Sequence, residues 1–365
     1  MIRKARKLLF FVLTTGKCNL RCKYCGGSFP EERVPAMPTY ELSLLKELIE
    51  NDPEPIVAFY GGEPLIQAGV IRQVMDNIEA KFLIQTNGTL WDNLDWDYWR
   101  RMDAVLLSID GTEKTTDGYR GLGTYRKVTQ AAKAFRKYGY EGDLIARMAV
   151  SERTDIYSDV LHLINLRLFD HVHWQLDVGW SDSWIDFDKW CSDSYEPGID
   201  RLVQFWIEEL RRGRVHGIVP FLGILKRLRE GGCNPPCGAG VDAIAILPNG
   251  EIRACPIAYD AEWALLGKLG QTSYSEMRRK MLGCGIVGEC KSCAYLRGCG
   301  GRCLYMNRER YWGEGGLKKI CNVTKYTIDA ISNVNNEAYA IMNDLGMGYE
   351  ALDYPKFNNS TEIVP

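Results

Sequence analysis

The feature that most constrains this chain is a group of three cysteines, Cys18, Cys22 and Cys25, in a loop directly after the first apolar segment. Their C-x3-C-x2-C spacing places three thiols on one short loop. Closely spaced cysteines are the usual ligands of an iron–sulfur cluster, and three of them leave a fourth iron open to another molecule. A structural zinc ion would need a fourth ligand nearby, which the sequence does not supply, but the spacing alone leaves zinc open as the alternative.

Cysteine usage also separates this chain from secreted proteins. It has 13 cysteines, an odd number, and no secretory signal, so we expect metal binding in a reducing, cytoplasmic setting and not disulfides. The net charge of −2 argues against nucleic-acid binding, which needs a basic surface. No apolar stretch reaches the roughly 20 residues of a membrane span, so we expect no membrane partner.

Short apolar strands alternate with helical patterns from residue 8 to about 178. Six strands are predicted, at Leu8–Thr14, Pro55–Tyr60, Lys81–Thr86, Ala104–Ile109, Leu144–Val150 and His171–Val178. The helices between them are predicted at Thr39–Glu50, Val70–Glu79, Trp96–Met102, Tyr125–Tyr138 and Asp155–Leu168. This alternation is typical of an α/β fold with a parallel sheet and right-handed crossovers. Six units are too few for a closed eight-unit barrel, so an open barrel or a doubly wound sheet fits.

Polar residues lie in or directly after most of these strands. Gly61-Gly62-Glu63-Pro64 follows the second strand, Asn87 follows the third and Ser108 ends the fourth, while Arg147 lies in the fifth and Gln175 in the sixth. Ligands of parallel α/β folds bind at the carboxyl ends of the strands. We therefore expect the active site at this edge of the sheet.

Two of these motifs resemble those of a known superfamily. The segment from Cys18 to Cys25, with Tyr24 before the last cysteine, resembles the cluster motif of the radical S-adenosylmethionine (SAM) superfamily. Gly61-Gly62-Glu63-Pro64 is similar to the companion "GGEP" motif of that family. The resemblance covers residues 8 to about 178. It implies a partial (β/α)6 barrel, a [4Fe–4S] cluster and bound SAM.

The same resemblance implies roles for individual residues. Glu63 would pair with the SAM ammonium, while Gly61 and Gly62 would allow close approach of the backbone. Asn87 and Ser108 would contact the ribose, and Arg147 would bind the carboxylate. Tyr24 and Gln175 are further expected cofactor contacts. The alternative for all these strand-end residues is ordinary polar packing. Reductive cleavage would yield a 5′-deoxyadenosyl radical that abstracts a hydrogen atom from the substrate.

A second cysteine-rich region begins near residue 233. The Asn249-Gly250 pair between Val241–Leu247 and Glu251–Ala254 predicts a β-hairpin, which would bring Cys237 close to Cys255. Eight cysteines make two four-ligand sites with none left over: Cys233, Cys237, Cys255, Cys290, Cys293, Cys299, Cys303 and Cys321. A pair of four-cysteine zinc sites is the alternative that the spacing permits.

This region resembles the SPASM extension of peptide-modifying radical SAM enzymes, which carries two auxiliary [4Fe–4S] clusters. The resemblance implies one cluster on Cys233, Cys237, Cys255 and Cys303. It implies the other on Cys290, Cys293, Cys299 and Cys321, for three clusters in all. Electron relay and structural support are both open as their role.

We predict four regions along the chain. They are a radical SAM barrel at 1–180, an aromatic-rich bridging region at 181–231, a SPASM domain with a hairpin and helices at 232–325, and a C-terminal helix and tail at 326–365. The last helix itself is predicted from Val323 to about Leu345. The tryptophan-rich segment from Trp174 to Trp206 is either core packing or a substrate-facing lid. Cys191 lies in this segment, and we hypothesise that its thiol returns a hydrogen atom to the substrate. The default for Cys191 and Cys284 is a buried, inert thiol.

The leading functional hypothesis is post-translational modification of a peptide or protein. Because Cys18 comes so early, no extra peptide-binding domain is expected before it, and a separate recognition protein or direct capture is required. An electron donor such as ferredoxin or flavodoxin is also expected. In sulfatase-activating relatives an aspartate directly follows the cysteine that closes the hairpin, whereas this chain has Pro256. Oxidation of a small molecule is the second hypothesis, and a non-catalytic electron-transfer or scaffold module is the third.

Overall fold

A ten-stranded sheet forms the centre of the molecule. The computed structural model describes residues 7–179, 184–232 and 234–354. Within these residues the strands are β1 (Leu9–Thr15), β2 (Ile56–Gly61), β3 (Lys81–Thr86), β4 (Met102–Ser108), β5 (Asp143–Val150), β6 (His171–Leu176), β7 (Gly217–Ile218), β8 (Ala243–Ile246), β9 (Glu251–Arg253) and β10 (Leu265–Lys268). Their order in the sheet is β10-β9-β8-β1-β2-β3-β4-β5-β6-β7.

The helices of the described residues lie between and after these strands. They are α1 (Leu42–Glu50), α2 (Ala68–Asn77), α3 (Trp96–Trp99), α4 (Glu113–Arg120), α5 (Thr124–Lys137), α6 (Ile156–Asn165), α7 (Phe187–Trp190), α8 (Glu196–Arg211), α9 (Val219–Glu230), α10 (Tyr274–Met281), α11 (Leu296–Cys299), α12 (Leu304–Glu309) and α13 (Gly313–Asp344). No helix in the described part of the chain is long and apolar enough to cross a membrane.

The six predicted strands are confirmed, and each pairs in parallel with its neighbour in sequence order. Every side chain of β1 is buried, as expected for a central strand with helices on one side and a packed interior on the other. The short β7 adds a seventh parallel strand beside β6. Because all seven strands run in the same direction, their carboxyl ends lie at one edge.

The predicted hairpin is also confirmed, but it belongs to the barrel sheet. β8 pairs in parallel with β1, with Leu9 opposite Ala243, and β9 and β10 continue the sheet in antiparallel fashion. The turn contains Gly250 at a φ of 81°, and Asn249 accepts a hydrogen bond from the Glu251 N–H at 3.0 Å. The cysteine-rich region therefore begins as an extension of the same sheet.

Helices α4 and α13 are among those that differ from the sequence-based prediction. α4 was not predicted, because its polar sequence has only a short apolar face. α13 begins at Gly313, ten residues before the predicted start at Val323, so Cys321 lies inside a helix. Glycines at the start of α13 favour a loop, but burial of Ile320 and Val323 outweighs their low helix propensity.

The aromatic-rich region is a helix with an irregular centre. α7 and α8 are joined by a π-helical segment, Cys191–Tyr195, in which the Glu196 N–H donates to the Cys191 carbonyl. Pro197 follows directly and has no N–H for a regular helical hydrogen bond. The wider turn before this proline therefore keeps α7 and α8 continuous.

Candidate active site

A cavity of about 240 Å³ opens at the carboxyl ends of the barrel strands. The three cysteines of the first loop line it, as does every residue expected to contact the cofactor: Tyr24, Gly61, Gly62, Glu63, Asn87, Ser108, Arg147 and Gln175. These residues come from the ends of six different strands or the loops after them. The parallel sheet therefore brings to one place side chains that are far apart in sequence.

The loop that carries the three cysteines is fixed by its own backbone and by α4. The N–H groups of Cys25 and Gly26 donate to the Cys22 carbonyl at 3.1 and 2.9 Å, which closes a tight turn. The Lys23 N–H donates to the Tyr119 carbonyl at 3.0 Å. A hydrogen bond between the thiols of Cys22 and Cys25 raises the pKa of Cys22 and lowers that of Cys25 to about 6. Two of the three thiols therefore lie side by side.

The two glycines after β2 are required by close backbone packing. A Cβ atom at Gly61 would overlap the Thr15 carbonyl, and one at Gly62 would overlap the Lys17 carbonyl. The Glu63 N–H donates to the Lys17 carbonyl at 2.8 Å. Only glycine lets the end of β2 lie against the segment before Cys18. This contact sets the position of Glu63 relative to the cysteine loop.

Glu63 is a carboxylate that is 1% exposed and lines the cavity. Its Oε1 atom accepts from the Leu65 N–H at 3.1 Å and from the Thr86 hydroxyl at 2.7 Å, and its Oε2 atom accepts from the Asn87 N–H at 2.7 Å. Burial raises the pKa of Glu63 to about 7, although the three hydrogen bonds act in the opposite direction. A buried carboxylate of this kind is suited to a cationic partner.

Arg147 and Ser108 lie on neighbouring strands in the wall of the cavity. They are opposite each other in the register of β4 and β5, and both are buried. The Arg147 guanidinium donates to the Met148 carbonyl at 2.7 Å and to the side-chain oxygen of Gln175. These hydrogen bonds hold the guanidinium in one orientation at the cavity wall.

Asn87 connects β3 to the cysteine loop. Its amide Nδ2 donates to the Asn19 side-chain oxygen at 2.8 Å, while its Oδ1 accepts from the Thr89 N–H and hydroxyl at 3.0 and 2.7 Å. With all these hydrogen bonds made, Asn87 is held rigidly beside the loop. It can therefore position both the loop and a ligand in the cavity.

Sequence reasoning missed Arg120 as a residue that lines the cavity. Its guanidinium forms a buried bidentate ion pair with Asp110, with two N–O distances of 2.8 Å. The same carboxylate accepts from the Tyr24 hydroxyl at 3.0 Å and from the Ala149 N–H at 2.9 Å. Asp110 thus ties Tyr24, and with it the cysteine loop, to α4 and β5. Asp110, just after the end of β4, could have been identified from the sequence as a site residue. No nearby sequence pattern identifies Arg120 as its partner.

A second cavity, of about 30 Å³, lies in the C-terminal region. Four cysteines line it together: Cys290, Cys293, Cys299 and Cys321. The first three come from the segment between α10 and α12, whereas Cys321 comes from the third turn of α13. This set is the same as the second ligand group that the SPASM resemblance implied.

The first ligand group is described only in part, because Cys233 lies outside the described residues. The segment after Cys237 is joined to the segment before Cys255 by a hydrogen bond from the Gly240 N–H to the Ala254 carbonyl at 2.8 Å. The same Gly240 packs against Leu304, which follows Cys303. Within the described residues, no three cysteine, histidine or carboxylate side chains converge closely enough to hold a single metal ion.

Comparison with known proteins assigns the first part of the chain to a family. Residues 12–165 match the family model of the Radical SAM superfamily, and they contain most of β1 and all of β2 to β5, with the cysteine loop, Glu63 and Arg147. This part of the chain is a radical SAM domain. A radical SAM domain carries a [4Fe–4S] cluster and SAM, and the cysteine-rich region after it is consistent with a SPASM extension.

Two relatives and one solved structure indicate the wider similarity. An uncharacterized protein of Archaeoglobus fulgidus is 28% identical over 80% of this chain and 73% of its own length. A cysteine-type anaerobic sulfatase-maturating enzyme of Clostridium perfringens is 25% identical over 78% of this chain and 85% of its own length. The solved structure of native anSMEcpe with bound AdoMet and Cp18Cys peptide has a TM-score of 0.68 at 20% identity. It covers 91% of this chain and 99% of the other. This last likeness shows a shared fold.

The two cysteines without a predicted ligand role, Cys191 and Cys284, line neither of these two cavities. Cys191 is 6% exposed in the π-helical segment and is not among the described residues that line the active-site cavity. Burial raises its pKa to about 12. Cys284 is 3% exposed, and its thiol donates to the carbonyls of Trp263 and Lys280. Both positions fit buried thiols in a packed interior.

The tryptophan-rich segment packs within the enzyme. The indole N–H groups of Trp174, Trp184, Trp190 and Trp206 donate to oxygen atoms of Tyr195, Asp177, Thr154 and His216. Trp180 lies outside the described residues. None of the described tryptophans lines the active-site cavity. The described tryptophans therefore pack within the fold, whereas Gln175, Leu176, Asp177 and Gly179 of the same segment line the cavity.

Proposed function

We propose that this enzyme cleaves SAM reductively at a [4Fe–4S] cluster on Cys18, Cys22 and Cys25 and uses the resulting radical to modify a peptide or protein. The observation that carries the proposal is the buried Glu63 carboxylate in the same cavity as the three cysteines. The Glu63 carboxylate, held by two backbone N–H groups and one hydroxyl, suits the ammonium group of an amino acid moiety. The open iron of a three-cysteine cluster fits its amino and carboxylate groups.

The chain's own residues would hold SAM from several sides. Glu63 would accept hydrogen bonds from the ammonium, and the Arg147 guanidinium, fixed by Gln175, would bind the carboxylate. Ser108 and Asn87 would donate to the ribose. With SAM bound at a reduced cluster, this site would supply a 5′-deoxyadenosyl radical to abstract a hydrogen atom from the substrate. Tyr24, fixed by Asp110, would keep the cysteine loop rigid during this reaction.

Support for a peptide substrate comes from the relatives. The similar enzyme of C. perfringens is a sulfatase-maturating enzyme, and the similar solved structure contains a bound peptide. Pro256 follows Cys255, and the next residue, Ile257, lines the cavity. No carboxylate stands directly after that cysteine, so we propose a modification other than the sulfatase-type oxidation. A separate recognition protein and a one-electron donor such as ferredoxin or flavodoxin complete the proposal.

We further propose two auxiliary [4Fe–4S] clusters, on Cys233, Cys237, Cys255 and Cys303, and on Cys290, Cys293, Cys299 and Cys321. The second assignment is supported by the cavity that its four cysteines share. Four ligands close each cluster, which suits electron relay or structural support. A pocket lined by tryptophans would favour the small-molecule alternative. None of the described tryptophans lines the cavity, so this support is missing.

Anaerobic reconstitution tests the proposal. The full chain is loaded with iron and sulfide, reduced with dithionite and assayed for 5′-deoxyadenosine. About twelve irons per chain and SAM-dependent 5′-deoxyadenosine are expected, because three four-iron clusters would form. A variant with Cys18, Cys22 and Cys25 changed to alanine should keep about eight irons and lose all SAM cleavage. Cys284→Ala is the matched control and should behave as the parent.

Three outcomes would contradict parts of the proposal. A content of four irons per chain together with bound zinc would contradict the two auxiliary clusters. A loaded protein that cleaves no SAM under strong reduction would instead be an electron-transfer or scaffold module. Peptides encoded beside the gene are the substrates to test, with mass analysis of the product. A mass change on a small molecule and on none of these peptides would favour the second hypothesis.

A further inference from the structure

Arg302 is a buried arginine beside the four cysteines of the second auxiliary site. Its side chain is 5% exposed and lines the 30 Å³ cavity together with Cys290, Cys293, Cys299 and Cys321. Arginine keeps its positive charge at any accessible pH. A permanent, buried charge is therefore placed against a group of four partly buried thiols.

The backbone at Arg302 is in a conformation that favours glycine. Its φ is 56°, and it follows Gly300 and Gly301, whose φ values are 68° and 81°. A non-glycine residue in this left-handed region costs free energy that a third glycine would avoid. This position is thus occupied by an arginine although a glycine would adopt the same backbone conformation more easily.

The charge of Arg302 reaches the sulfur atoms of this site. Arg302 lines the same small cavity as Cys299 and Cys321, so its charge acts on both sulfur atoms at short range. The Gly301 N–H donates a hydrogen bond to the Cys299 sulfur, so the backbone and the guanidinium both favour negative charge there. Lys325 also lines the cavity, but it is partly exposed and lies 5.5 Å from the Tyr295 ring centre. Solvent screens an exposed cation much more than a buried one, so Arg302 is the dominant positive charge of the two.

We propose that Arg302 raises the reduction potential of the auxiliary cluster held by Cys290, Cys293, Cys299 and Cys321. This inference rests on the proposed function, because it requires a cluster at these cysteines. Reduction adds one negative charge to a cluster that four thiolates already make anionic. A fixed cation nearby stabilises the reduced state more than the oxidised state. The residue thus tunes the cluster without being one of its ligands.

The test measures potential in the full chain. Cys18, Cys22 and Cys25 are changed to alanine so that only the auxiliary clusters contribute, and the spectra are recorded during a redox titration. In this background Arg302→Gln should keep the parent's iron content. The reduction equilibrium of one cluster should shift at least tenfold toward the oxidised state, which is 59 mV for a one-electron couple. The other cluster should shift less, because none of its described ligands lines the cavity that Arg302 lines. Arg302→Lys, which keeps a charge, should shift the equilibrium less.

Arg167→Gln is the matched control. Arg167 also has a left-handed backbone, with a φ of 54°, but it is exposed at the end of α6. It should change neither iron content nor potential. An unchanged potential in Arg302→Gln with full iron would overturn the inference. Loss of iron from both Arg302 variants would also overturn it, because the residue would then build the site. A parent without iron at these cysteines would contradict the proposed function itself, which the iron count reveals before any variant is compared.

Discussion

Replacing Glu63 with glutamine should abolish the pH dependence of SAM binding together with most of the affinity. The Glu63 carboxylate is 1% exposed and accepts three hydrogen bonds, at 3.1, 2.7 and 2.7 Å. Glutamine keeps the shape and one acceptor oxygen, but it loses the charge that the SAM ammonium needs. Breaking a buried ion pair by removing one partner costs about 3–5 kcal/mol, which weakens binding by roughly 10² to 10⁴-fold.

The pH dependence follows from the raised pKa. Burial raises the pKa of Glu63 from 4.5 to about 7 in the ligand-free protein. The folded state therefore holds this proton more tightly than the unfolded state. The protonated Glu63 side chain adds its full contribution to the free energy of unfolding below about pH 4.5. This contribution is lost as the pH rises to about 7. This loss amounts to about 3 kcal/mol. SAM binding requires the ionised form, so its apparent affinity should rise roughly 30-fold between about pH 5.5 and 8.

The assay is anaerobic equilibrium binding of SAM to the reconstituted, oxidised enzyme across this pH range. The wild type should show an affinity that increases with pH and levels off above about 7. Glu63→Gln should show weak binding with no such slope, while its iron content stays that of the wild type. A wild-type affinity that is flat over this range would refute the reasoning, and so would a glutamine variant that binds SAM as tightly as the wild type does.

Three further predictions test the packing around the clusters. Gly62→Ala should lower the melting temperature and the iron loading, because the new Cβ would overlap the Lys17 carbonyl. The control is Gly69→Ala in α2, where the space is open, and it should raise the free energy of unfolding by about 0.5–1 kcal/mol. Cys191→Ala should leave SAM cleavage and product formation unchanged, since its thiol does not line the cavity; a stalled substrate radical in this variant would show that the hydrogen-donor hypothesis is right. Cys290→Ala should lose about four irons, and Cys284→Ala should lose none by iron analysis.

The sequence predicted the barrel strands well because their signal is local. Each of the six strands is an apolar run bounded by polar or glycine residues, and the structure places every one within a few residues of its predicted bounds. The helices were less certain at their ends. α13 starts ten residues before its predicted start because packing against the rest of the fold, and not propensity, decides where a glycine-rich segment becomes helical.

In the candidate site, the sequence motifs identified the candidate ligands of the cluster and of SAM. Only the fold showed which other residues hold them in place. The spacing of Cys18, Cys22 and Cys25 and the Gly61-Gly62-Glu63 segment are readable in the sequence because short-range constraints fix them. The Asp110–Arg120 pair was not readable, since an ion pair between a strand end and a following helix leaves no periodic pattern. The position of Cys191 away from the cavity was likewise decided by how α7 and α8 pack.

The sequence alone therefore determined which residues could bind clusters and SAM, and the strand order that places them at one edge of a parallel sheet. The tertiary structure decided what those residues do to one another. It buried Glu63, and this burial raises the pKa of its carboxyl group even though three hydrogen bonds lower it. It also joined the hairpin to β1 as part of the barrel sheet. It also brought Arg302 against four cysteines from two separate segments. Burial and long-range pairing depend on contacts between distant parts of the chain, which no local pattern encodes.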